Sequence, residues 1–286
     1  MSARRIGRRV SANMELDRDR LREILAAEHS FYSSGRAIAR IDDRFNPGTR
    51  DFLVGRVKSG MRVLDIGCGN GGTFLRLSES SESGFGVDND PAHICMAEDG
   101  LRENGAANVE FRLLDFLEDG DALEPESFDF AFTERGPIGY GGHGMRVALR
   151  ALKPGGTLFC EMFGNLHHQE QADLFGVNQP RYQMIRTLEK ARVAMERNGV
   201  DIRVAADILQ KRYYPDIYEW LKFQCSIWMW TGSSFPAPDD VRLAMFAEPN
   251  ATESGEIETT HHVVWVAGVK IPMRSGGAGS GGSRRT

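Results

Sequence analysis

Val63-Leu64-Asp65-Ile66-Gly67-Cys68-Gly69-Asn70-Gly71-Gly72 decides the fold: an apolar run carrying one carboxylate opens into a row of glycines. Val63 to Ile66 is the short apolar segment expected of a buried parallel strand, and Thr73, Phe74, Leu75 and Leu77 begin a helical pattern directly behind the glycines. The loop therefore links strand to helix. Glycines belong there because the backbone must adopt conformations closed to most side chains and let a ligand approach the helix N-terminus. This reads as a cofactor site. Taken literally, Gly67, Gly69 and Gly72 satisfy the dinucleotide fingerprint G-x-G-x-x-G, so the glycines alone leave the ligand open.

The carboxylate separates the alternatives. A dinucleotide places a doubly anionic pyrophosphate at this helix N-terminus, where Asp65 would repel it. S-adenosylmethionine has no phosphate; it carries a sulfonium and an ammonium beside one carboxylate, and a buried acid at the strand end favours it. Val63 to Gly72 resembles the first motif of the class I S-adenosylmethionine-dependent methyltransferases. The resemblance continues at family spacing through Gly86-Val87-Asp88, Leu114-Asp115-Phe116, Phe128-Asp129-Phe130-Ala131-Phe132 and Leu152-Lys153-Pro154-Gly155-Gly156-Thr157-Leu158. It covers Arg62 to Met162 well and the remainder by general plan.

The pattern outside the motif agrees with an α/β fold. Apolar segments at Gly84 to Val87, Val109 to Leu114, Phe128 to Phe132 and Thr157 to Met162 alternate with helical patterns, among them Pro91 to Asn104 and a helix before Leu152. Tyr182 to Asn198 reads as helix, with Ile185, Leu188, Ala191 and Met195 on one face. Val204 to Tyr213 and His262 to Ile271 read as strands. The resemblance implies that these two close the sheet as an antiparallel hairpin, giving a Rossmann-like doubly wound, seven-stranded mixed sheet in the order 3-2-1-4-5-7-6 with helices on both faces. About fifty residues between them are too many for a hairpin loop, so this insertion should have its own structure.

Composition bounds the rest. The 286 residues are 41% hydrophobic and 26% charged, enough for one sizeable core, and the net charge of -5 argues against a nucleic acid partner. Residues 1–16, with Arg4, Arg5, Arg8 and Arg9, read as a flexible basic tail, and 273–286 as a disordered Gly/Ser tail. Between them, 17–272 reads as a single domain. Its first part, about 17–60, holds an amphipathic helix with Leu21, Ile24, Leu25 and His29, then Phe31, Tyr32 and an Arg-rich connector; family resemblance implies a lid over the cofactor. The four cysteines lie far apart, so neither a disulfide framework nor a metal site is expected. Without a signal-peptide pattern or an apolar run near about 18 residues, a cytoplasmic protein is expected, with no membrane partner. A homodimer is an open expectation.

The resemblance carries cofactor roles onto single residues. Asp65, Gly67 and Gly69 match the first motif, Cys68 and Asn70 lend backbone groups, and Gly71 matches the third family glycine. Asp88 is placed to accept the ribose hydroxyls, with Asn89 assisting, or is an ordinary strand-end turn residue. Asp115 is placed against the adenine amino group with the Phe116 N–H beside it, or is a helix cap. Chemistry is expected past the fourth strand, around Thr133-Glu134-Arg135-Gly136-Pro137, with Thr133 on the cofactor side. This segment lacks the Asn-Pro-Pro-Tyr pattern of amino-group methyltransferases acting on bases or glutamine. Glu134 and Arg135 either bind substrate polar groups or pair with each other.

His167, His168 and His143 are the candidates for a general base, because histidine titrates nearest neutral pH; His261 and His262, placed before the last strand, read as structural. His167 and His168 with Glu161 are a poor metal set, since adjacent residues in extended chain point apart. The insertion at about 214–260 is aromatic, with Tyr218, Trp220, Phe223, Trp228, Trp230 and Phe235. These residues either pack as core or line an apolar substrate pocket. The expected activity is methyl transfer from S-adenosylmethionine to a small-molecule acceptor. An RNA or protein methyltransferase and a non-catalytic scaffold subunit are the alternatives.

Overall fold

The strands at the centre are dictated by burial on both faces. Val63, Leu64 and Ile66 have no exposed surface, and neither do Ala131 and Phe132 on the strand paired directly with theirs. Near-continuous apolar runs of this kind need cover above and below, which parallel strands joined by helical crossovers supply. The computed structural model describes residues 15–28, 39–41, 49–140, 142–176, 185–230 and 232–272. Its chain forms two compact units, one from the described parts of Arg50–Met162, Leu188–Ala206 and Trp265–Thr286, the other from those of Met1–Thr49, Phe163–Thr187 and Asp207–Val264.

The first unit contains the glycine loop. Its elements in chain order are α2 (Thr49–Arg56, after α1 and β1 of the other unit), β2 (Arg62–Ile66), α3 (Gly72–Ser78), β3 (Ser83–Asp88), α4 (Pro91–Asn104), β4 (Val109–Leu113), β5 (Phe128–Glu134), α5 (Gly142–Ala151), β6 (Leu152–Phe163) and α7 (Leu188–Arg197). β2 pairs in parallel with β3 and β5, β3 with β4, and β5 with β6. Parts of β7 (Val200–Tyr214) and β8 (Ile257–Lys270) complete the order β7-β8-β6-β5-β2-β3-β4. Renumbered from β2, that is the expected 3-2-1-4-5-7-6. β7 and β8 run antiparallel: Ile271 N–H donates to the Gly199 carbonyl, Asp207 meets His262 and Lys211 meets Glu258, one partner advancing as the other retreats.

α4 spans the residues expected of it, because its ends are well marked. The Asp90 side chain accepts from the Ala92 N–H, Pro91 opens the first turn, and Gly105 closes the helix in the left-handed conformation. The core of this unit is aromatic as well as aliphatic, with Phe74 edge-on to Phe111 at 5.9 Å and to Phe132 at 6.2 Å.

The second unit contains α1 (Arg18–Ala26), β1 (Arg40–Ile41), α6 (Gln169–Phe175), α8 (Ile217–Trp230) and α9 (Val241–Asn250) with the remaining parts of β7 and β8. Its core joins Leu21 and Ile24 of α1 to Trp220, Leu221, Trp228 and Phe246, all buried. Trp220 stacks on Phe246 at 4.0 Å. The aromatic insertion thus packs as core at Trp220, Phe223 and Trp228, because an apolar helix of this length can only be stable with its faces covered.

Five expectations are corrected. The sheet has eight strands, since β1 pairs antiparallel with β7 through Arg40↔Tyr213 and Ile41↔Arg212. The Arg-rich connector holds helix α2, whose Leu53 is wholly buried. β6 begins at Leu152, before the Lys153-Pro154-Gly155-Gly156 turn, because Leu152 already pairs with Phe128 across a register shift. β8 begins at Ile257, so His261 and His262 lie inside the strand. Helix α7 starts at Leu188, because the Arg186 carbonyl is engaged by the Asn165 N–H at 3.0 Å and cannot enter a helix there. The two tails, His29, Phe31, Tyr32, Tyr182 and the side chain of Trp230 lie outside the described residues. Among the described residues no helix is long and apolar enough to cross a membrane.

Candidate functional site

The glycine loop is held first by backbone. Gly67 and Cys68 N–H groups both donate to the Val87 carbonyl, at 2.8 and 2.9 Å, which ties the end of β2 to the end of β3. Gly67, Gly69 and Gly71 all have left-handed φ, at 76°, 56° and 73°. Gly71 is required twice over, because a Cβ there would also stand 2.6 Å from the Phe111 ring. Gly72 is not among the left-handed glycines, and a Cβ there would meet Asn70 Oδ1 at 3.3 Å. The spacing that the backbone demands is therefore 67, 69 and 71, not the literal dinucleotide set.

Three carboxylates converge on this loop. Asp88 Oδ2 accepts the Gly69 N–H at 2.8 Å, and Oδ1 accepts the Asp90 N–H at 3.0 Å and faces His93 Nδ1 at 3.2 Å. Burial works to raise the Asp88 carboxyl, but the hydrogen bonds from His93, Asp90 and Gly69 outweigh it and hold the group below the ordinary carboxylate value. Asp88 therefore stays ionised, with a lone pair still open on Oδ2. Asp65 goes the other way. Its burial, then the charges of Glu134 and Asp88, push its carboxyl well above the ordinary value. Glu134 accepts from the Thr73 hydroxyl in the first turn of α3. This negative surround attracts a cation and repels a pyrophosphate.

The neighbouring candidates have structural partners as well. Cys68 is buried, and burial with the Asp65 and Asp88 charges pushes its thiol up, so it contributes its backbone and not a thiolate. Asn89 Nδ2 donates to Asp115 Oδ2 at 3.3 Å, while Asp115 Oδ1 accepts the Leu117 and Glu118 N–H groups at 2.9 and 3.3 Å. One Asp115 oxygen thus caps a turn and the other orients Asn89; Phe116 beside it is buried. Thr133 is fully buried, with its hydroxyl donating to the Ile66 carbonyl at 2.7 Å and accepting the Gly136 N–H at 3.1 Å. It braces the loop from behind and presents no surface to a ligand.

Arg135 does not pair with Glu134. Its N–H donates to the Glu161 carbonyl at 2.7 Å and its Nε lies 3.3 Å from Glu161 Oε1, with both side chains largely buried. Its φ of 65°, rare outside glycine, turns the side chain toward β6 and leaves Glu134 for Thr73.

The three candidate bases share one tautomer, with the proton on Nε2, and differ in which ring nitrogen the protein engages. His167 Nδ1 accepts the His262 N–H at 3.2 Å, so the neutral ring carries its proton on Nε2 and donates from there. Gln171 Nε2 lies 2.6 Å from His168 Nδ1 and donates to it, which again puts the proton on Nε2. Burial, and then Arg212, hold His168 well below the ordinary histidine value, so it stays neutral. The two rings lie 4.0 Å apart in a turn, not splayed in extended chain, because His168 takes a left-handed φ of 54°. His143 carries its proton on the same nitrogen but has that nitrogen engaged. Its Nε2 must donate to the Leu117 carbonyl at 2.9 Å, which leaves Nδ1 of the exposed ring as the proton acceptor. His262 is fixed between the Leu166 N–H at Nδ1 and Asp207 at Nε2. Among the described residues no grouping of His, Cys, Asp and Glu is arranged to hold a metal ion.

His93 and Arg212 were not singled out in the sequence, and Glu161 was weighed only as a metal ligand, not as the partner of Arg135. For His93 a signal existed: it follows Asp88 by five residues on a helix capped by Asp90, and it faces both carboxylates.

The chain matches the family model described as a methyltransferase domain over residues 57–219. It is 32% identical over 145 residues to the ribosomal RNA large subunit methyltransferase G of Streptomyces avermitilis, a match covering 47% of this chain and 38% of that protein. The chain therefore spans well under two thirds of this relative. Among solved structures, YcgJ of Bacillus subtilis shares 16% identity with a TM-score of 0.57, covering 78% of this chain and 97% of that one. The [4+2]-cyclase SpnF shares 19% identity with a TM-score of 0.52, covering 78% of this chain and 80% of that one. At these identities the two structures show the fold alone.

Proposed function

Because the chain belongs to the class I S-adenosylmethionine-dependent methyltransferases, through its methyltransferase domain, we propose that it transfers a methyl group to a small-molecule acceptor. The convergence of Asp65, Asp88 and Glu134 on Gly67, Gly69 and Gly71 carries this reading, since it suits a cationic adenosyl ligand. S-adenosylmethionine supplies a methyl group already activated on a sulfonium. Asp88, ionised and with a lone pair open on Oδ2, is the residue to accept a ribose hydroxyl, and Asn89 with Asp115 is the pair to meet the base. Asp88 and Glu134 supply the negative potential that a sulfonium and an ammonium favour.

The protein's remaining part is to position the acceptor and take up its proton. His143 Nδ1 is the proton acceptor in this reading, because the Leu117 carbonyl fixes the proton on Nε2. An acceptor with an oxygen, nitrogen or carbon nucleophile is compatible. The net charge of -5 supports a small molecule over a polyanion, for which phosphate neutralisation by Lys and Arg supplies much of the affinity.

A second reading, methyl transfer to RNA, is favoured by the Streptomyces relative's name. Incubation with methyl-labelled S-adenosylmethionine, in parallel with a low-mass metabolite extract and with ribosomal RNA, separates the two. Label in small products only is the expected result. Label in RNA only would replace this reading with the second, and no binding of the donor at all would leave a scaffold role.

A further inference from the structure

A second polar site lies in the aromatic unit. Arg212 and Gln171 are 5% and 2% exposed and Thr259 is fully buried, yet among the described residues Arg212 Nε, Gln171 Oε1 and Thr259 Oγ1 have no hydrogen-bond partner, and neither does His168 Nε2. Buried polar atoms are almost always paired, so these four call for a partner that the described residues do not supply.

They share one neighbourhood. Asp207 with His262 and Lys211 with Glu258 fix the register of β7 on β8 and occupy one face. Side chains alternate along a strand, so Arg212 and Thr259 both point to the opposite face, diagonal neighbours across the pair. His168 is close enough to Arg212 to feel its charge, and Gln171 touches His168 at 2.6 Å. The Phe223 ring borders both, its centroid 5.9 Å from the His168 ring and 5.7 Å from Arg212 Cζ.

The orphans are mostly donors. A guanidinium Nε only donates, His168 Nε2 carries the proton, and a threonine hydroxyl is free to rotate toward an acceptor. Among the described residues Arg212 forms no ion pair, so its positive charge is answered only by the Phe223 face. Donors grouped around an unpaired guanidinium match the oxygens of an anion.

We infer that the aromatic unit binds an oxyanion, a carboxylate or a phosphate group, through Arg212, Thr259 and His168. This goes beyond the methyl-transfer reading by assigning a second ligand site within the aromatic unit itself.

The test is calorimetric titration of the full chain with inorganic phosphate and with benzoate, and with S-adenosylhomocysteine in parallel. Saturable binding of one probe is expected and tells phosphate from carboxylate. Arg212→Gln should weaken it about 10-fold to 100-fold, with S-adenosylhomocysteine affinity unchanged. Should Arg212→Gln fail to fold by circular dichroism, Thr259→Val decides, since it keeps the shape and removes the hydroxyl: weakened probe binding supports the inference and unchanged binding overturns it. No saturation by either probe into the tens of millimolar range would also overturn it, leaving water as the partner of these atoms. Loss of S-adenosylhomocysteine binding alone would instead overturn the methyl-transfer reading, while the oxyanion titrations still decide this one.

Discussion

The glycine-loop unit and the aromatic unit treat buried polar groups differently. In the first, Asp88, Thr133 and Glu134 all close on protein donors or acceptors, so the loop is set before any ligand arrives. In the second, Arg212 Nε, Gln171 Oε1 and Thr259 Oγ1 are buried and have no hydrogen-bond partner among the described residues. A site built from strand ends and a tight turn is pre-organised by the fold itself, since neighbouring backbone supplies the hydrogen bonds. A site assembled from side chains of α6, β7 and β8 depends on something outside those elements to satisfy it.

The strongest blow to the aromatic unit is Trp220→Ala. Trp220 is fully buried and stacked on Phe246, so its truncation should cost about 3 to 5 kcal/mol in urea denaturation. A loss under about 1 kcal/mol would mean that this ring is not core.

In the glycine-loop unit, Gly71→Ala and Gly72→Ala should part company. The first forces a Cβ against Phe111 at a left-handed φ and should cost about 2 to 4 kcal/mol; the second should be tolerated. Equal costs would contradict the assignment of Gly71 as the third structural glycine.

Replacing the proposed base comes next. His143→Gln should lower kcat about 100-fold, or about 2.7 kcal/mol, with cofactor affinity unchanged, whereas His167→Gln should act on stability. Unaltered turnover in the first variant would remove His143 from the chemistry.

The smallest effect lies in the pH dependence of stability. The Asp88 carboxyl is lowered in the folded state, so its contribution is present above about pH 4 and is lost as pH falls through the folded value. Asp65 is raised, so the unfolded chain releases this proton first, and stability drops as pH climbs from about 4 toward the folded value. Asp65→Asn should therefore gain stability over the native chain at neutral pH and not at pH 4, while weakening cofactor binding. Denaturation midpoints that shift equally at both pH values would contradict the raised Asp65.

The sequence was most legible where backbone geometry restricts residue choice. Asp90, Pro91 and Gly105 mark both ends of α4, and the left-handed turns at 67, 69 and 71 admit little but glycine. The order of the seven main strands followed from the family resemblance, and the edge strand β1 was missed because two residues carry no periodicity. Pairings across the sheet were hidden too. Arg135 turned to Glu161 on β6 through a backbone conformation that its residue type does not announce. His168 stacked beside His167 for the same reason, and Arg212 met His168 across 44 positions of chain that only β7 brings back. The tautomers of the three histidines depend on the Leu117 carbonyl, the His262 N–H and Gln171, none of which is a neighbour readable from a motif.

The central claim is that a carboxylate-lined glycine loop selects an adenosyl cation. Calorimetric titration of the purified chain with S-adenosylmethionine, S-adenosylhomocysteine and NAD, repeated with Asp88→Ala, tests it most directly. The account predicts binding of both adenosyl ligands and none of NAD, with the variant weaker by about 1.5 to 3 kcal/mol through loss of charge-assisted bonds. Binding of NAD alone, or adenosyl affinity unchanged in Asp88→Ala, would contradict it.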